Sequence, residues 1–206
     1  LDEANGTRMD SVGGAHLDDG TSVGSVAGKI SNSASFDNTS SQFLTNAEQV
    51  NLDGSRGITV EAWINVRTGA PASAKYFVNG APYVSFVSFG TSNAGALYIF
   101  FEIGNDAGET ASAGKLLAAY DTWYYIVGSY DPDTGIPSIS VNAGAASVGA
   151  ALVLGHPMVD VGYGGGGVFV GGKTPSFSKA YIDEIAVWNK VLSAAEIASH
   201  YALNRP

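Results

Sequence analysis

AYIDEIAVW, residues 180–188, runs directly into NKVLSAAEIASHY, residues 189–201, and the reading of this passage decides the architecture. The first nine residues are rich in β-branched and aromatic side chains, which fit a pleated, packed surface, so they read as a strand. The next segment changes period. Ser193-Ala-Ala-Glu196 is a capping box: the Ser193 hydroxyl can accept from the Glu196 N–H, and the Glu196 carboxylate can reach back to the Ser193 N–H. Leu192 and Ile197 stand at the staple positions, and Ile197 and Tyr201 fall four apart on one helical face. A strand followed by one short capped helix is therefore expected at the end of the chain, with the helix packed across the outside of a sheet. On a period-two strand the neighbours Asp183 and Glu184 point to opposite faces.

Outward from this passage the pattern is all-β. Strands read at Ile58–Val66, Tyr83–Phe89, Ala96–Ile103, Trp123–Tyr130, Ile136–Val141 and Gly167–Gly171, with weaker ones around Phe36 and Phe43. Gly, Ser, Thr and Asn punctuate these runs throughout the chain. In Ile58–Val66 one face carries Val60, Ala62, Ile64 and Val66. The other carries Glu61, Trp63 and Asn65, a mixed face that could line a shallow groove. Asp131-Pro-Asp-Thr-Gly135 is a turn signal: Pro132 presets φ, the Asp side chains cap N–H groups, and Gly135 can take φ > 0.

The 206 residues suit one large sandwich that buries its core without disulfides, since there is no cysteine. Ten basic residues against nineteen acidic ones give a net charge of −9. Such a surface repels phosphate backbones and anionic lipid, so neither nucleic acid nor membrane is an expected partner. No apolar run approaches the length of a membrane span. Leu1-Asp2-Glu3 opens no secretory leader, and the chain reads as a domain of a longer or processed protein.

Several blocks resemble the laminin-G-like jelly-roll domains of the concanavalin-A-like lectin/glucanase superfamily. They are the opening Leu1–Thr7 with Asp10–Gly14, Gly28-Lys29 followed by Ala34–Asp37, the strand Ile58–Ile64 with its central Trp63, Trp123-Tyr124 leading to Ser129–Asp131, and the closing Tyr181–Ser193 followed by Glu196-Ile197. They occur in the family's order and span nearly the whole chain, though nothing between Thr68 and Gly95 matches. The resemblance implies one all-β domain over 1–206, a two-sheet antiparallel jelly-roll sandwich with one short C-terminal helix. It implies a non-catalytic binding or adhesion module, carbohydrate-binding in the first reading, with a glycan or a surface protein as partner and an extracellular, virion or cell-surface location. A decoration domain of a phage particle or bacterial surface protein is the alternative, and a polysaccharide-degrading enzyme of the same fold the second. At positions matching the family, Trp123 and Trp188 are expected in the core.

Glycosidases of this fold need two carboxylates flanking the scissile bond, and no such strand-spaced pair is visible. His16, His156 and His200 have no zinc-ligand spacing, and no serine sits in a nucleophile elbow. Sugar sites stack aromatic rings on pyranose faces and satisfy hydroxyls with nearby polar groups, which nominates Tyr163, Tyr76, Tyr83 and Trp63. The resemblance also implies a structural calcium tying the N-terminal segment to the last long strand. Asp183 would be the strand carboxylate, and Asp2 or Asp37 the N-terminal one. The other reading of Asp183 is a carboxylate that caps backbone N–H groups where strands cross.

Overall fold

The period-two segments pair into two antiparallel sheets stacked through their apolar faces. The computed structural model describes residues 1–47, 57–81, 85–92, 96–105, 108–152 and 167–203. In chain order the strands are β1 (Gly24–Ala27), β2 (Asn32–Phe36), β3 (Leu44–Asn46), β4 (Ile58–Val66), β5 (Ser73–Ala81), β6 (Ser85–Ser92), β7 (Tyr98–Gly104) and β8 (Thr110–Leu116). They continue with β9 (Trp123–Asp131), β10 (Ile136–Val141), β11 (Ser147–Val148), β12 (Val168–Val170), the hairpin β13 (Gly172–Lys173) and β14 (Ser176–Phe177), and β15 (Ala180–Trp188). The helix α1 spans Ala194–Leu203.

One sheet has seven strands in the order β1-β2-β15-β4-β9-β10-β11, and the other has six in the order β3-β12-β5-β6-β7-β8. This is the jelly-roll sandwich expected from the sequence, with one short helix at its C-terminal end. Register fixes the faces, because directly opposed residues share one side of a sheet. Across the six-stranded sheet, Leu44, Val170, Phe77, Phe89, Phe101 and Ala113 form one continuous row, and all are buried. From the other sheet Val60, Ala62, Ile64 and Val66 meet the same core. The Asp131–Gly135 turn forms as read: the Gly135 N–H donates to the Asp131 carbonyl at 2.8 Å and Gly135 takes φ +70°.

Two tryptophans depart from expectation. Trp123 and Trp188 are half-buried on the outer face of the seven-stranded sheet, not in the core. For Trp188 the cause is a β-bulge. Asp183 opposes Trp63 and Ala186 opposes Glu61, so β15 uses three steps where β4 uses two. The extra residue reverses the parity of everything after it, and Trp188 turns from the inner to the outer side.

Candidate functional site

The mixed face of β4 is closed. Glu61, Trp63 and Asn65 are all buried, Glu61 completely. Helix α1 lies over them, and Ile197 and Tyr201 pack on the cluster of Trp63, Tyr125 and Val127. The Tyr201 ring stacks on Trp63 at a centroid distance of 5.6 Å, and Lys29 Nζ sits 4.3 Å from the Trp63 ring centre. Trp63 is thus corrected as a sugar platform, because with 2 % exposure it has no free ring face. Its neighbour Glu61 is the polar anchor of the helix. The carboxylate accepts from Trp188 Nε1 at 2.6 Å and from the Tyr125 hydroxyl, and lies 3.1 Å from His200 Nδ1 on α1. Burial, reinforced by this contact with Glu61, drives the Tyr125 phenol pKa upward.

Tyr76 is corrected in the same way. Its side chain is buried within β5, its hydroxyl is 2.9 Å from Thr91 Oγ1, and burial raises its phenol pKa. Tyr83 and Tyr163 lie outside the described residues.

An open aromatic face stands on the other sheet. Tyr98, Phe100 and Glu102 alternate along β7 and share its outer side. Register carries two rows across this side: Lys75, Gly90, Phe100 and Gly114 in one, Val78, Ser88, Glu102 and Ser112 in the next. Tyr98 is 38 % exposed, high for a ring on a sheet face. It leans across Gly114, where a Cβ would lie 2.2 Å from the ring. Phe100 leans likewise across Gly90, where a Cβ would lie 2.7 Å from the ring. The two glycines therefore let both rings lie down along the sheet. Beside them Lys75 Nζ bonds Glu102 Oε2 at 2.6 Å and Ser88 Oγ at 2.9 Å, and lies 4.8 Å from the Phe100 ring centre. The result is an apolar strip ending in a half-exposed ion pair. Tyr98 and Phe100 carry no sequence signal of exposure, because they lie within an apolar run, ALYIFFEI, in which either parity can be the core.

At the opposite rim the acids gather. The carboxylates of Asp2, Asp183 and Glu184 can each place an oxygen within 4.8 Å of the others. Adjacent strand residues should diverge, but the bulge holds Glu184 at φ +47° and swings its carboxylate back toward Asp183. Asp183 is buried. Its Oδ2 accepts from the N–H groups of Lys29 at 2.8 Å and Ile30 at 3.0 Å, and its Oδ1 from Glu184 N–H at 2.9 Å. Gly28 permits this wrapping, since a Cβ there would lie 2.5 Å from Asp183 Oδ2. Desolvation nonetheless outweighs these bonds and pushes the Asp183 carboxyl pKa up. Asp2 Oδ1 accepts from the Asn32 N–H at 3.2 Å, which pins the N-terminal segment beside β2.

Hard carboxylate oxygens suit calcium, and Asp183 Oδ1, Asp2 and Glu184 fit as a partial donor set, with Asp183 Oδ2 already committed to backbone. Asp37 is corrected: its Oδ1 accepts from Thr39 N–H and Oγ1 at 2.9 and 2.8 Å, capping the short 3₁₀ turn Asn38–Ser40. It is not one of the three clustered acids.

A family model described as the concanavalin A-like lectin/glucanases superfamily matches residues 37–198. No curated protein sequence matches the chain. Among solved structures, the binding domain of Paraclostridial Mosquitocidal Protein 1 superposes with a TM-score of 0.72 at 10 % identity, over 98 % of this chain and 52 % of that one. The binding domain of Botulinum Neurotoxin DC in complex with SialylT gives 0.60 at 10 % identity, over 98 % and 52 %. The Trypanosoma rangeli sialidase in complex with the inhibitor DANA gives 0.67 at 14 % identity, over 97 % of this chain and 31 % of that one. This chain thus spans about half the length of those toxin domains and less than a third of the sialidase. At such identities the likeness is one of fold.

Proposed function

The chain belongs to the concanavalin A-like lectin/glucanase superfamily, and from that premise we propose that it is a non-catalytic carbohydrate-binding module that works at a cell or particle surface. The carrying observation is the Tyr98–Phe100 strip with the Lys75–Glu102 pair at its end. Aromatic faces bind the C–H side of a pyranose, while a carboxylate and an ammonium in register beside them satisfy hydroxyls. The family and the binding domains among the similar folds support this reading. The Glu61–His200 pair offers no rival active site, because α1 closes over it. No helix among the described residues is long and apolar enough to cross a membrane.

The direct test is a glycan array followed by calorimetry on the hits. Tyr98→Ala should weaken binding about tenfold or more, as expected for one stacked ring in a small site. Saturable binding that Tyr98→Ala and Phe100→Ala leave intact would move the site elsewhere. Release of reducing ends or of ultraviolet-absorbing unsaturated products from polysaccharides would make the module an enzyme.

The same reading includes one structural calcium, held by Asp183, Asp2 and Glu184 at the rim. Its role is to lock the N-terminal segment onto β15 and to neutralise a buried carboxylate. Elemental analysis of purified protein and calcium titration of its melting temperature test it.

A further inference from the structure

Resting on the Tyr98–Phe100 reading, we infer that the strip selects neutral glycans and rejects acidic ones, with Glu102 as the selecting residue. The inference starts from what faces the rings. Lys75 is the cation beside them, and its charge is matched by Glu102 at 2.6 Å. It is held further by Ser88 Oγ and by the face of Phe100. The pair therefore presents no net positive charge to a ligand.

Glu102 keeps an open oxygen among the described residues. Oε2 takes the Lys75 bond, whereas Oε1 accepts nothing from the described residues, and the side chain is 25 % exposed. A free carboxylate oxygen is an acceptor for a hydroxyl donor and a repeller of another carboxylate. Hydroxyls of a neutral sugar both donate and accept, so one can give its proton to Glu102 Oε1 while a neighbour accepts from Lys75. A sialic or uronic carboxylate laid on the strip finds Lys75 already paired and the Glu102 carboxylate beside it. To pair with Lys75 it would have to displace an existing ion pair and leave Glu102 uncompensated beside a second carboxylate, which disfavours the acidic ligand.

Among the described residues no other cation on this face rescues an acidic ligand. Lys173 sits over Phe169 of β12 at 4.3 Å from the ring centre. β12 is three strand steps from β7 in the sheet order, about 14 Å at the usual strand spacing. Lys115 donates to the Ala145 carbonyl, on the side of β8 away from the rings. The long-range field points the same way, since the chain carries a net charge of −9. The aromatic strip thus supplies affinity and the paired charges supply the filter.

The test uses matched pairs that differ only in acidity: lactose against sialyllactose, and galacto-oligosaccharides against oligogalacturonates, by calorimetry on the full chain. The expected result is binding of at least one neutral member, with its acidic partner about tenfold weaker or worse. Affinity for the neutral member should stay flat between about 50 and about 500 mM salt, because no ion pair forms with the ligand. Glu102→Gln retains shape and an acceptor but removes the repelling charge, so it should narrow the gap within a pair. Tyr98→Ala should weaken the neutral member. Equal or better binding of the acidic members, with Tyr98→Ala still damaging, overturns the neutral selection and leaves the glycan site standing. A neutral preference untouched by Tyr98→Ala and Glu102→Gln places the filter elsewhere and also overturns it. No binding of any member, on these pairs or on the array, removes both the selection and the site.

Discussion

Glu61 and Glu102 stand on the outer faces of the two sheets, each beside a basic side chain, and the fold treats them in opposite ways. Glu61 is fully buried, accepts from Tyr125 and Trp188, and lies against His200 beneath a helix. Glu102 pairs with Lys75 at a quarter exposure and keeps one oxygen open among the described residues. A carboxylate removed from water must have every lone pair answered, so the first site is built around complete satisfaction. A carboxylate left at the surface can retain an unanswered oxygen at small cost, and that oxygen is available to a ligand. Aromatic neighbours follow the same division. Trp63 and Tyr125 are sandwiched under α1, while Tyr98 lies open across Gly114. One face commits its aromatic and polar groups to internal packing, and the other leaves Tyr98 and Glu102 partly exposed.

The largest test of this contrast is a pair of substitutions. Glu61→Ala strands the buried Tyr125 hydroxyl and the half-buried Trp188 and His200, and should cost about 3–5 kcal/mol in urea unfolding. Glu102→Gln breaks a half-exposed pair and should stay within about 1 kcal/mol. Equal effects would mean that α1 does not seal the first face.

Calcium tests the rim of the closed face. A cation bound by the folded state alone should stabilise by about 2.7 kcal/mol at a hundredfold excess over Kd. In a domain of this size each kcal/mol moves Tm by about 2–4 °C. Chelator should reverse the shift and Asp183→Ala abolish it. A melting curve unmoved by either, in protein shown to be metal-free, leaves Asp183 as a backbone cap.

The cap of the covering helix comes next. Ser193 Oγ accepts from Glu196 N–H at 3.3 Å and donates to Glu196 Oε2 at 2.7 Å, while Ser193 N–H reaches the same Oε2 at 2.8 Å. Ser193→Ala should therefore cost about 1 kcal/mol. A variant as stable as the parent would show that burial alone holds α1 in place.

Acid titration separates groups by sign. The Lys190 ammonium and the Ser193 N–H hold Glu196 down at about 2, and Thr39 N–H and Thr68 Oγ1 lower Asp37 and Asp121. A folded pKa below the unfolded one means that the contribution is present above the ordinary carboxylate range and is lost as pH falls through the folded value. Asp183 runs the other way: its raised pKa gives a contribution present in acid and lost as pH rises through the folded value. In chelator, Asp183→Asn should gain on the parent as pH rises above about 4, read as the difference in urea midpoints. A pH-independent difference would contradict the burial of that charge. Smallest of all in stability is Tyr98→Ala, expected within about 0.5 kcal/mol as a surface change, although the loss expected in glycan binding is about tenfold.

What the sequence determined by itself was whatever is written locally. β4, β10 and β15 begin and end where their alternation does, and the capping box at Ser193 starts the helix. β8, TASAGKL, is not legible as a strand because Ala, Gly and Ser carry little strand preference, although Ala111 and Ala113 alternate inward as a strand requires. β5, SAKYFVNGA, is broken in pattern by its own register shift at Lys75–Phe77. Asp2 and Asp183 were legible from the family resemblance, and the structure brings them together with Glu184. The tertiary structure alone decided the rest. Residue spacing names which side chains share a sheet face, but not which face another element will cover. One bulged residue in β15 sends Trp188 outward to Glu61, and α1 then closes over the mixed face of β4. The open aromatic face is left to β7, because nothing described packs over Tyr98; coverage is a long-range property of the packed chain, while alternation is a short-range property of each strand.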